Sequence, residues 1–154
     1  EDKTRLLRFG KFAAEQRAER GELRPETFHF LGFTHFCGRT QDGRFIAKCK
    51  TQSKRITRKL KEIRVEARWR MHRPVVVQHE WLCRVLRGHY GYYGLPGNSR
   101  SLSAFLFEVR KIWFRSFRKR SQRSRHTRER FARLLERFPL PVPRITHPWS
   151  IARA

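Results

Sequence analysis

The stretch Leu102-Ser103-Ala104-Phe105-Leu106-Phe107-Glu108-Val109-Arg110-Lys111-Ile112-Trp113-Phe114-Arg115-Ser116-Phe117 decides how this chain folds. Leu102, Phe105, Leu106, Val109, Ile112, Trp113 and Phe117 recur at intervals that place them on one stripe of an α-helix. Arg110, Lys111, Arg115, Arg118, Lys119 and Arg120 fall on the rest of its circumference. A stripe this apolar must be buried, and its natural cover is other helices. Ser99 or Ser101 offers an N-cap, and the breaker cluster Gly94-Leu95-Pro96-Gly97-Asn98 separates the helix from what precedes it.

Partners for the stripe lie on both sides. Upstream, Ser53 can cap a helix whose apolar face is Ile56, Leu60, Ile63 and Ala67, with Lys54, Arg55, Arg58, Lys59, Lys61, Arg64 and Arg68 on its other faces. Arg73-Pro74 marks its end, and a second helical stretch runs from about His79 to Tyr93 with Trp81, Leu82, Val85 and Leu86 apolar. Downstream of the polar, basic stretch Ser121 to His126, Thr127 caps a short helix using Phe131, Leu134, Leu135 and Phe138, which Pro139, Pro141 and Pro143 prevent from continuing.

The N-terminal third reads differently. Lys3 to Phe9 suits a short strand, and Lys11 to Arg20 suits a helix stopped by Gly21. Phe28 to Lys50 reads as a β-hairpin: Phe28 to Phe36 forms one arm, Arg44 to Lys50 the other, and Asp42-Gly43 sits in the turn. No internal repeat occurs. The expected class is α+β, a short N-terminal hairpin followed by an all-α bundle.

Composition narrows the function. The chain has 154 residues, 37 Lys+Arg against 13 Asp+Glu, and a net charge of +24. Hydrophobic residues at 38%, including 13 Phe and 4 Trp, exclude a purely disordered basic tail. Arg supplies 28 of the bases, and its planar fork matches phosphate and stacks on nucleobases. Charge of one sign on this scale opposes compactness, so a polyanion is the expected partner. No apolar run approaches the ~20 residues of a membrane span, and no secretory signal opens the chain, so a soluble, cytoplasmic protein with no membrane partner is expected. Cys37, Cys49 and Cys83 are odd in number and widely spaced, which fits buried or idle thiols better than a disulfide framework or a zinc site. Met71 is the only methionine, so the chain is expected to be processed or cut from a longer protein.

Catalytic chemistry is thin. Asp2 and Asp42 are the only aspartates, and Asp42 belongs to a turn, so no aspartate pair stands ready to hold two Mg²⁺ ions. The seven histidines show no metal-ligand spacing, and His35 and His89 read as structural or solvent-facing. The chain by itself is expected not to be an enzyme and to need no cofactor or metal. Binding features are richer, because helices with one apolar stripe and otherwise Arg/Lys surfaces pack together while presenting cations outward. In Arg87-Gly88-His89-Tyr90-Gly91-Tyr92-Tyr93-Gly94, rings and glycines could meet unpaired bases and phosphate, although packing is favoured for Tyr90 and Tyr93. With no groove-reading motif present, structured RNA fits at least as well as duplex DNA.

Two blocks then carry a resemblance. Lys3-Thr4-Arg5-Leu6, followed by Thr27-Phe28-His29-Phe30-Leu31-Gly32-Phe33, resembles the last palm blocks of reverse transcriptases encoded by group II introns. Trp81-Leu82, followed by Val85-Leu86-Arg87-Gly88-His89-Tyr90-Gly91-Tyr92-Tyr93-Gly94-Leu95-Pro96-Gly97-Asn98-Ser99-Arg100, is similar to the signature of the maturase region of the same family. The resemblance implies that residues 1–50 are the end of a palm and 51–125 a helical thumb and maturase domain; residues 126–154 read from their own pattern as a short helix with a Pro-rich tail. It implies that Phe30, Leu31, Gly32 and Phe33 are a palm motif. It further implies that the thumb grips a template–primer duplex and binds group II intron RNA, assisting its folding while the ribozyme performs splicing. On this expectation Arg55, Arg58, Lys59, Arg87, Tyr92, Asn98, Arg100, Arg110, Lys111, Arg115, Arg118 and Lys119 serve RNA, with Asn98 and Arg100 fixing the loop before the long helix. The family's Tyr-x-Asp-Asp block and its optional C-terminal endonuclease do not occur in the sequence. Mg²⁺ is therefore expected only at the missing polymerase site and in the intron RNA. The alternative expectation is a fragment of a catalytic RNA-directed DNA polymerase whose Asp-Asp centre lies upstream or in another chain, possible partners including the remainder of that enzyme; a degenerate remnant is a third.

Overall fold

The computed structural model describes residues 6–22, 25–120 and 127–147. In chain order the elements are α1 (Ala13–Ala18), β1 (Phe28–Phe30), β2 (Phe33–Arg39), β3 (Phe45–Thr51), α2 (Ser53–Trp69), α3 (Val75–Tyr93), α4 (Ser99–Arg118) and α5 (Arg128–Arg137). The class is α+β, and the chain divides into two units, Glu1–Gln52 and Ser53–Ala154.

In the first unit the strands form an antiparallel meander in the order β1-β2-β3. Here the structure corrects the expected hairpin: the aromatic run from Phe28 is two strands, because Leu31 (φ 47°) and Gly32 (φ 81°) both take positive φ and turn the chain between Phe30 and Phe33. Two successive positive-φ residues make the tight hairpin turn whose twist matches the flanking strands. Gly32 accepts that backbone without a side-chain clash; Leu31, a branched residue in the left-handed region, gives no sequence signal for it. The Asp42-Gly43 turn closes β2 against β3 as expected, with Gly43 at φ 76° and the Thr40 amide donating to the Arg44 carbonyl at 2.9 Å. Phe28 packs between Phe9 and His35, with ring centroids 5.0 and 4.8 Å away. Of the expected strand at Lys3 to Phe9, Lys3, Thr4 and Arg5 lie outside the described residues, and Leu6 to Phe9 is irregular.

The second unit is built around the α4 stripe. Leu102, Phe105, Leu106, Val109, Ile112 and Trp113 are buried, and Phe117 is half-buried against them. Ile63 and Ala67 of α2, Leu82, Cys83, Leu86 and Tyr90 of α3, Phe131 of α5 and, beyond that helix, Leu140 complete the core. α3 runs antiparallel to α4: the Trp113 indole donates to Gln78 near the start of α3 (3.0 Å), while Phe105 stacks on His89 near its end (3.7 Å). Lys59 lies near His89 and Arg70 near Trp81, so α2 is antiparallel to α3 and runs in the same direction as α4. The α2–α4 seam uses small residues, and Ser116 Oγ donates to the Ala67 carbonyl at 2.8 Å.

The helix ends depart from expectation twice. α3 begins at Val75 and not near His79: Pro74 is its N-cap, in extended backbone, its carbonyl accepts from the Gln78 backbone amide, and the Gln78 side-chain amide donates to the carbonyls of Met71 (3.2 Å) and Arg73 (2.7 Å). The β-branched run Val75 to Val77 conceals this from a periodicity reading. α4 is preceded at its N-cap by Asn98, not by Ser99 or Ser101. The Asn98 carbonyl accepts from the amides of Ser101 and Leu102, while its side chain donates backward to the Tyr93 carbonyl at 2.8 Å. Thr127 caps α5 as expected, its hydroxyl accepting from the Arg130 amide.

After α5, residues 139–147 form a strap along α3. The Pro139 carbonyl meets His79 Nε2 at 2.9 Å, and the Pro141 carbonyl accepts from Tyr90 Oη at 3.1 Å. The amides of Thr146 and His147 donate to the Gly94 carbonyl, and Thr146 Oγ1 donates to that of Tyr90. The strap thereby satisfies carbonyls that the end of α3 would otherwise leave open.

His89 is 8% exposed, lies flat on Phe105, and its Nε2 has no hydrogen-bond partner. Burial, aided by the Lys59 charge, pushes its pKa down to about 4 from the ordinary 6.5. The folded protein therefore holds the neutral ring, and the unfolded chain binds the extra proton. This contribution to stability is complete above pH 6.5 and is lost as pH falls toward 4, by up to about 3 kcal/mol. Thermal melts from pH 7 to 4.5 should show a steeper loss for the wild type than for His89→Phe; parallel profiles would show that the ring is not held neutral.

Candidate nucleic-acid interface

Charge is divided unequally between the units. Residues 53–154 hold 26 of the 37 bases and 6 of the 13 acids, a net charge of +20 out of +24. Part of this surplus opposes the helices that carry it. Lys54 and Arg55 sit in the first turn of α2 and Arg100 in that of α4, where no acid accompanies them. A cation beside the positive end of a helix dipole costs roughly 0.3–1 kcal/mol, so helix stability does not account for these residues.

Two cationic clusters emerge on this unit. At the start of α2, Arg55, Arg58 and Lys59 gather with Glu62 and Tyr93 around a shallow cavity of about 240 Å³. Arg58 and Lys59 are paired with Glu62 at 3.4 and 3.1 Å, and these partners hold the carboxyl below its usual range. Farther along, Arg64 and Arg68 of α2 face Arg115, Arg118 and Lys119 across a groove of about 590 Å³ floored by Ala67, Met71, Ile112 and Ser116. The lining of this second groove contains no acid.

Sequence reasoning singled out Arg115, Arg118 and Lys119 but not Arg64 and Arg68 as site residues. Their only signal is position: they flank Ala67, the small residue in the α2 stripe, and their meeting with α4 depends on tertiary packing. Arg110 is exposed on α4, near the buried hydroxyl of Tyr90. Lys111 is engaged, donating to Glu108 at 2.7 Å and lying over the Phe107 ring.

The glycine- and tyrosine-containing block has a mixed outcome. Tyr90 is buried and bonded to the strap, as the packing reading expects, whereas Tyr92 is 54% exposed, and Arg87 is exposed as well. Gly88 and Gly91 face open space, so packing does not require glycine at either position. Asn98 is a correction: it is 0% exposed, so its side chain fixes the loop and is unavailable as an RNA contact. Phe30 and Leu31 are exposed at the hairpin turn of the first unit and Phe33 is buried there.

Other chemistries find little support in the geometry. Among the described residues no group of three or more His, Cys, Asp or Glu side chains could hold a metal ion, and no helix is long and apolar enough to cross a membrane. Cys83 Sγ lies 3.2 Å from His79 Nε2, but the thiol is buried and its pKa is raised by that burial, opposite to an activated nucleophile. Asp42, in its turn, pairs with Arg44 at 3.1 Å. Comparison with protein-family models, curated proteins and solved structures finds no match.

Gly94 is the one glycine of the block that packing demands. A Cβ there would collide with Thr146 Oγ1 and the Tyr90 carbonyl oxygen. Gly94→Ala should lift the strap, costing about 1–3 kcal/mol in denaturant titration and accelerating tryptic cleavage after Arg144. Unchanged stability and cleavage would show that the strap is not seated on this position.

Proposed function

We propose that residues 53–154 are an RNA-binding module of the thumb-and-maturase kind, which grips phosphate with exposed Arg/Lys faces while other groups perform any chemistry. The observation that carries this reading is the 26-to-6 excess of bases over acids around a bundle whose interior is Leu, Ile, Phe and Trp. Cations on such a surface repel one another without a polyanion to neutralise them. The blocks at Phe30 to Phe33 and Arg87 to Arg100 support the finer assignment to group II intron RNA and a template–primer duplex. On this reading the chain makes and breaks no bond, binds no cofactor, and works beside the remainder of a reverse transcriptase.

A protein that neutralises about six phosphates of a single strand should show log K falling against log salt with a slope of roughly −4. Fluorescence anisotropy with a labelled RNA measures this directly, and a flat titration would remove the reading. The double substitution Arg115→Glu and Arg118→Glu should weaken binding at least tenfold with little change in melting temperature, since both residues are exposed. Trp113→Ala should instead cost about 3–5 kcal/mol of stability, because the indole is buried and bonded to Gln78. The reverse pattern would mean that binding and packing faces are exchanged.

A further inference from the structure

The α2–α4 groove has a construction that phosphate attraction alone does not explain. Ala67 and Ser116 are small, so the surface dips where these helices meet, and Ile112 and Met71 extend an apolar floor between the cationic walls. A duplex backbone laid across the groove would neutralise the walls and leave that floor unfilled. The volume of about 590 Å³ falls within the range of small-ligand pockets, wide enough for a base and its sugar. Four of the five cations are Arg, about the proportion of the whole chain, and their guanidinium planes are able to stack on bases as well as neutralise phosphate. The cluster at the start of α2 lacks this combination, being smaller and partly neutralised by Glu62.

We infer that the groove between Arg64, Arg68, Arg115, Arg118 and Lys119 takes an unpaired nucleotide of RNA, its base resting on the Ala67–Ile112–Met71 floor between guanidinium planes and its flanking phosphates held at the rim. The module thereby distinguishes bulged or single-stranded RNA from a fully paired helix. This rests on the RNA-binding reading above and goes beyond it by naming the structural class of RNA.

The test uses the full chain and three labelled RNAs that differ at one position: a paired duplex, the same duplex with a single bulged uridine, and the same bulge with an abasic sugar. All are titrated at equal salt. The uridine bulge should bind roughly tenfold more tightly than the paired duplex, and the abasic bulge should lose that advantage. The fourfold variant Arg64→Lys, Arg68→Lys, Arg115→Lys, Arg118→Lys should keep the salt slope, because the charge is unchanged, while the ratio of bulge to duplex affinity falls toward one. Equal binding of all three RNAs by the wild type would overturn the inference and leave the cationic reading standing, as would an abasic bulge that binds as well as the uridine. Retention of the preference in the fourfold variant would overturn the stacking role of the guanidiniums. Absence of salt-dependent binding to every RNA would remove both readings together.

Discussion

The side-chain amide of Gln78 is buried where the α2–α3 turn meets α4. Its nitrogen donates to the carbonyls of Met71 and Arg73, and its oxygen accepts from the Trp113 indole. One side chain thus closes the turn that reverses the chain and fixes the largest fully buried side chain of the core. Removing it would leave the buried indole N–H without its partner, a penalty of about 1–3 kcal/mol, and would untie the two turn carbonyls. The direction of α3, and with it the parallel course of α2 and α4, follows from this turn. The Arg64–Arg68 and Arg115–Lys119 clusters face each other only because those two helices run the same way.

Core and surface make opposite demands on the same helices. Each helix spends its apolar stripe on the interior, where burying a Leu, Ile or Phe stabilises by about 1.5–3 kcal/mol. Its remaining circumference carries cations, some at the N-terminal ends where the helix dipole disfavours them. The few acids are placed where they relieve the crowding locally: Glu62 between Arg58 and Lys59, Glu66 beside Arg70, Glu108 beside Lys111. The α2–α4 groove receives none of this relief. Its charge is left for a partner to neutralise, and the apolar interior supplies the stability that lets it remain so.

The α4 stripe was legible because seven large apolar residues at helical spacing permit one reading, and the α2 face and the Thr127 cap followed similarly. Where the reading missed, the cause lay in tertiary or backbone features. The Phe30 to Phe33 turn depends on a leucine in the left-handed region, which no turn rule anticipates. The start of α3 depends on a side chain that bonds backward to a turn. Asn98 reads from sequence both as a loop-fixing residue and as an RNA contact, and its complete burial, which removes its side chain from the surface, is visible only in the packing. Individual basic residues could be named from sequence; which of them share a groove could not, since Arg64 and Arg115 are brought together by a helix lying between them in the chain.

The strap has a consequence for the order in which the second unit acquires its structure. Its contacts join positions 79, 90 and 94 to 139, 141 and 146, separations of about fifty to sixty residues. Contacts of that span form late, because the chain must close a long loop before they repay its entropy. During synthesis from the N-terminus, α2, α3 and α4 emerge with their stripes able to associate, while the final carbonyls of α3 and the apolar surface beneath Leu140 stay open to water. Residues 139–147 thereby tie a late-synthesised part of the unit back onto α3 and cover its final carbonyls.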